Sequence, residues 1–192
     1  MRLLRLWLTG ILRPVQMADA LHGTPRPLYG LVAVVLRFIV TSLTTVLFLH
    51  ILGRLPFAPS ELVRLPIEKY YSAEVWFLPA WGIGIWLLMA SVSHLILRVF
   101  KAESDFDHIL NIIGIGMLVP MPLLWIWDWT AIILGIYAMN VMAVTHTIAQ
   151  LWEATIESIC FIRVLRIRPV ASVATAVLIN GVYVALAMVF IR

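Results

Sequence analysis

His146, Gln150, Glu153 and Glu157 follow one another at steps of four, three and four residues. That spacing puts an imidazole, an amide and two carboxylates on one face of a helix. Such a row can pass a proton, hold a cation, or tie helices together through hydrogen bonds. Arg37 and His94 are further ionisable groups inside apolar stretches. Each such residue costs roughly 2.5–3.5 kcal/mol in lipid, so each demands a partner. A carboxylate on a partly desolvated arginine is the natural pairing, and Arg37, His94, His146 and Glu153 fall in the same half of the chain's apolar spans, where they can converge. The competing expectation is that Arg37 merely reaches back to the headgroups with its long side chain. Metal binding by two histidines and two glutamates would require three separate elements to align, and no ligand-spaced motif such as His-Glu-x-x-His is present. Neither a metal nor another cofactor is expected.

The other polar residues suit bland roles. Asp105, Asp107 and His108 follow Lys101 and Glu103, and Ser104 and Asp105 are helix caps by type, with acids favoured near a helix amino end. Asp128, between Trp127 and Trp129, reads as a turn residue in an interfacial aromatic belt. The single cysteine, Cys160, excludes an internal disulfide and a cysteine metal cluster. No Ser/His/Asp order, phosphate loop or glycine-rich nucleotide motif occurs, and no enzymatic activity is expected.

The elements that must position these groups follow from composition. The chain has 192 residues, 62% hydrophobic and 12% charged, with a mean hydropathy of +1.00. A soluble domain of this size has too little interior to hide that much apolar surface, so the solvent is lipid. The net charge of +4 comes mostly from arginines that flank or lie in apolar runs. They form no basic stripe interleaved with aromatics, which argues for membrane orientation and anionic headgroups rather than nucleic acid.

About 20 apolar residues cross a bilayer, and five stretches qualify: 28–53, 75–97, 106–126, 129–151 and 169–191. The third and fourth are joined only by "WDW" at 127–129, which predicts a tight hairpin there. The 54–74 loop carries Pro56, Pro59 and Pro66. The expected fold is an all-α integral membrane protein, a five-helix bundle at 28–192 preceded by a surface segment at 1–27. Arg2, Arg5, Arg13, Arg26, Arg98, Lys101, Arg163, Arg166 and Arg168 share one side, against Arg54, Arg64, Lys69 and Arg192 on the other. The positive-inside rule then places the amino terminus in and the carboxyl terminus out.

Residues 1–13 are interrupted too early for a signal peptide, despite the Ala18-Asp19-Ala20 triplet, and are too short to span. Arg2, Arg5, Thr9, Arg13 and Gln16 share one face, while Leu3, Leu4, Trp7, Leu8, Ile11 and Leu12 fill the other. That pattern predicts an interfacial helix on anionic lipid. Small residues mark close helix approach: Gly82, Gly114, Ala131 with Gly135, and Gly181 with Ala185. Gly84 and Gly116 thin the same second and third spans. Association with further copies or other subunits stays open. Pro120 and Pro122 predict a kink near the outer end of the third span.

Several stretches together resemble one family. Leu8 to Pro14 reads "L-x-x-I-L-x-P". Phe106, Leu110 and Gly114 give "F-x-x-x-L-x-x-x-G", with Pro120 following inside the span. Trp152 precedes the stretch "EATIESICFIRVLRIRP". This layout resembles the prokaryotic branch of the Yip domain family, named for Ypt/Rab-interacting proteins. "PLYG" at 27–30 lacks the Asp and the closing Pro of the eukaryotic Asp-Leu-Tyr-Gly-Pro motif, so Rab binding is not implied. The resemblance implies a multi-pass protein of a prokaryotic cytoplasmic membrane with no catalytic residues to transfer, acting as a membrane-organising or accessory subunit. The rival expectation is a small transporter or channel component using the His/Arg/Glu cluster. A weaker one is a metal- or cofactor-carrying redox subunit.

Overall fold

A computed structural model describes residues 2–23, 27–58, 65–102 and 105–191. Expectations placed on Arg26, Pro59, Arg64, Ser104 and Arg192, and on the side chain of Arg2, lie outside what is described. All regular structure among the described residues is helical. Two short helices, α1 (Arg2–Leu12) and α2 (Pro14–His22), precede five rods. The first rod is α3 (Leu28–Thr41), which runs through a π-turn at Ser42–Val46 into α4 (Leu47–Ile51). The second is α5 (Tyr70–Val99), led in by a 3-10 turn at Ile67–Lys69. Next come α6 (Phe106–Leu118) with α7 (Met121–Ile133), then α8 (Met139–Val164) and α9 (Pro169–Phe190). Four rods are long and apolar enough to cross a membrane: Leu28–Ile51, Ile67–Val99, Phe106–Ile133 and Pro169–Phe190. The 26-residue α8 is long enough but more polar, and it stands outside that set.

Two sequence boundaries are corrected. "WDW" is not a hairpin: Trp127, Asp128 and Trp129 lie within α7, and the chain turns at 134–138 instead. Gly135 is the reason. It adopts φ +71, a left-handed conformation that glycine reaches without penalty and that ends helices. It is therefore a stop signal and not a packing residue. The kink at Pro120 is also misplaced by the sequence reading, because it divides Phe106–Ile133 into two equal halves rather than bending its outer end.

At the centre lies α6, with every residue from Ile109 to Leu118 buried. Its contact with α3 is backbone against backbone. A Cβ on Gly114 would lie 2.4 Å from the Gly30 carbonyl oxygen, and one on Gly30 would lie 2.4 Å from that of Leu110. Close approach also solves a capping problem. Pro27 cannot cap α3 with a side chain, so the free N–H of Gly30 donates to Asn111 Oδ1 at 2.8 Å. Gly82 likewise makes room, here for the Phe38 ring. Ala131 is buried, but Gly181 and Ala185 face outward, so that pair packs nothing within the chain.

Two helix-breaking prolines are repaired by neighbours. Pro79 inside α5 cannot donate to the carbonyl four residues back, that of Val75, and the Ser42 hydroxyl from the π-turn donates to it instead. Pro122 leaves the Leu118 carbonyl free in the same way, and Trp7 Nε1 donates to it at 3.0 Å. Thus α1 does not simply float beside the bundle. Leu6 and Gly10 are buried, Gly10 fits against Met17 and Val119, and Trp7 meets Trp125 edge-on at 6.3 Å. The expected lipid-facing set is split accordingly. Leu3, Trp7 and Ile11 pack on the core, while Leu4, Leu8 and Leu12 remain exposed beside Arg5.

Candidate functional site

Two carboxylates of α8 turn inward among its buried apolar residues Ile156, Cys160 and Phe161, while other apolar residues face outward. Val144, Ile148 and Leu151 are each 61–62% exposed, whereas Glu153 and Glu157 are fully buried. Buried acids beside an exposed apolar edge are the reverse of what a soluble helix shows. Each buried carboxylate needs a partner from a neighbouring rod.

Glu153 finds Arg37. Nη1 of the arginine donates to Glu153 Oε2 at 2.9 Å and to the Met117 carbonyl at 2.7 Å. Nη2 donates to the Tyr183 hydroxyl at 3.0 Å. Arg37 is 4% exposed and lies about 5 Å from the centroids of the Phe38 and Tyr183 rings, so it does not reach back to the headgroups. One guanidinium joins α3, α6, α8 and α9, using the fork of donors that a lysine lacks.

Glu157 lies one turn further along, over Gly116, where a Cβ would come 2.9 Å from Glu157 Cγ. Asn180 Nδ2 donates to Glu157 Oε2 at 2.6 Å and to the Ala176 carbonyl at 2.9 Å. Both contacts require the amide nitrogen on that side, which fixes the orientation of Asn180 and turns its Oδ1 elsewhere. Among the described residues no donor reaches Glu153 Oε1, Glu157 Oε1, Asn180 Oδ1 or Gln150 Oε1.

His146 and His94 stand apart from the Arg37 ion pair. His146 is half-exposed; its Nδ1 bonds the Met142 carbonyl at 3.0 Å, and its Nε2 lies 3.8 Å from Asp128 Oδ1, too far for a direct hydrogen bond. Asp128 is 4% exposed, a buried group rather than the exposed turn residue its neighbours suggested. His94 meets the Phe106 ring edge-on at 5.7 Å near the α5–α6 turn. Gln150 lies on the face between His146 and Glu153.

Asn180, Tyr183, Gly30 and Asn111 escaped the sequence reading. Asn180 and Tyr183 stand three apart in an otherwise apolar span, which was a readable signal. At the end of the bundle, Arg163 holds Asp19 through two bonds of 3.0 Å, and His22 meets His108 with ring centroids 6.5 Å apart. Asp105 caps α6, accepting from the Asp107 N–H at 2.9 Å and contacting His108 Nδ1 at 3.0 Å. Among the described residues no group of three or more His, Cys, Asp or Glu is placed to hold a metal. Comparison with protein-family models, with curated proteins and with solved structures finds no match.

Proposed function

We propose that this chain is a five-span, non-enzymatic protein of a prokaryotic cytoplasmic membrane that serves as a membrane-organising or accessory subunit. The carrying observation is the Arg37 guanidinium bonded to Met117, Glu153 and Tyr183. Three of its hydrogen bonds hold four rods in register, the use expected of a structural tie. The inward carboxylates Glu153 and Glu157 and the outward Val144, Ile148 and Leu151 of α8 support counting it as the fifth crossing. The Phe106, Leu110, Gly114 and Pro120 pattern supports a Yip-like protein. Leu4, Leu8 and Leu12 beside Arg5 suit an α1 that rests its free edge on anionic lipid while its other edge is docked.

The second reading, a transporter or channel component, draws support from the acceptors along α8 that no donor reaches. Flux assays in proteoliposomes separate the two. A specific flux abolished by His146→Ala would sink the organising role. Single cysteines in a Cys160-free background test the orientation: position 60 should label from outside and position 104 only from inside.

A further inference from the structure

We propose that one exchangeable monovalent cation, a hydron or a sodium ion, is bound at the Glu153–Glu157 carboxylate pair in the middle of the bundle. Charge counting leads there first. Arg37 carries one positive charge, and Glu153 and Glu157 bring two negative ones, all at 0–4% exposure. The pair Arg37–Glu153 is closed at 2.9 Å, which leaves the Glu157 carboxylate without a counter-charge. An isolated charge in this setting costs several kcal/mol even after relaxation, far more than a neutral polar group.

The elements around Glu157 bring it no counter-charge of its own. From α3 comes only Arg37, whose field reaches Glu157 but whose hydrogen bonds go to Met117, Glu153 and Tyr183. From α6 come Gly116 and the Met117 carbonyl, which carry no charge. From α9 come Asn180 and Tyr183. On α8 itself the nearest titratable groups are Glu153 and the buried thiol of Cys160. Arg163 is tied to Asp19 at the exposed end, and His146 faces Asp128.

Hydrogen-bond accounting leads to the same place. The carboxylate atoms that no donor reaches, Glu153 Oε1 and Glu157 Oε1, stand one helical turn apart and are both acceptors. Two buried oxygens of this kind ask for a donor or a cation. A water molecule would satisfy acceptors but leave the surplus negative charge. A hydron on Glu157 Oε1 cancels that charge and converts an acceptor into a donor in one step. A sodium ion cancels it and takes oxygen ligands.

Two measurements on the purified chain in lipid nanodiscs tell the ions apart. Infrared spectroscopy at neutral pH should show a protonated-carboxyl stretch that shifts in D2O and is lost in Glu157→Gln if the ion is a hydron. A sodium site would instead give thermal stabilisation that saturates with NaCl, is absent with KCl or choline chloride, and is lost in Glu157→Gln. If that variant fails to fold, Asn180→Ala takes its place and should shift the band or weaken the sodium response. Wild-type protein with neither a protonated-carboxyl band nor sodium-specific stabilisation overturns the proposal, while leaving the organising role untouched.

Discussion

Gly114→Ala tests the α3–α6 crossing most sharply. The added Cβ would sit 2.4 Å from the Gly30 carbonyl oxygen and 2.5 Å from its Cα, backbone atoms that cannot rotate away. To reach ordinary contact at 3.4 Å, the two helices must part by about 1 Å. That separation stretches the Gly30 N–H bond to Asn111 Oδ1 from 2.8 Å beyond hydrogen-bonding distance. The lost bond is worth roughly 0.5–1.5 kcal/mol, and overpacking adds about 1–3 kcal/mol. A total of roughly 1.5–4.5 kcal/mol lowers the melting temperature by roughly 3–18 °C for a chain of this length. Gly84→Ala is the matched control, since nothing lies within 4 Å of the new Cβ. Alanine is about 0.8–1.0 kcal/mol better than glycine within a helix, so that variant should melt at or slightly above the wild type. Intrinsic tryptophan fluorescence during heating in detergent reads both. Equal melting temperatures for the two variants would refute the backbone crossing.

Arg37→Met strands the buried Glu153 carboxylate and should remove about 3–5 kcal/mol, with Arg37→Lys recovering little because an ammonium lacks the fork that meets Met117, Glu153 and Tyr183 together; thermal melts of both variants decide it. Trp7→Phe leaves the Leu118 carbonyl, already deprived of its partner by Pro122, without its donor, and should cost about 1–3 kcal/mol. Hydrogen exchange should then rise across residues 3–12, and unchanged protection there would count against the docked α1. Partial burial pushes the Asp105 carboxyl up, but the His108 ring and the Asp107 N–H outweigh it and hold the group below its ordinary 3.8. A lowered folded value means the stabilisation is present above that pH and lost as pH falls through the folded value. The melting difference between wild type and Asp105→Ala should therefore exist at about pH 6 and close as the pH falls below the ordinary 3.8, a window set by the lowered folded value.

The site was legible in part because helical periodicity and charge complementarity are local signals. The steps of four, three and four along α8 pointed to one face, and Arg37 needed a carboxylate that Glu153 supplies. What failed was punctuation. A Trp-Asp-Trp triplet looked like the turn between two spans, yet α7 runs on through it to Ile133, and Trp7 satisfies the carbonyl that Pro122 frees from 111 residues away. Gly135 looked like a packing residue, since nothing local distinguishes a glycine that needs a positive φ from one that needs space. The wrong division of Trp7 from the core had the same origin, because an amphipathic pattern says which residues avoid water but not whether lipid or protein receives them. Asn111 and Gly30 each meet their partner only through tertiary contact.

The two buried carboxylates of α8 have a consequence for biogenesis under the proposed five-span reading. A helix carrying Glu153 and Glu157 would meet a charge penalty of several kcal/mol if it entered lipid by itself. The groups that bind them lie on both sides of α8 in synthesis order, with Arg37 made earlier and Asn180 and Tyr183 later. On that reading α3 and α6 would form a half-built receiving surface for α8, and α9 would close the remaining side. Insertion of the last two helices would then be one cooperative step, and a ribosome stalled before residue 180 would hold an intermediate whose carboxylates are still unsealed.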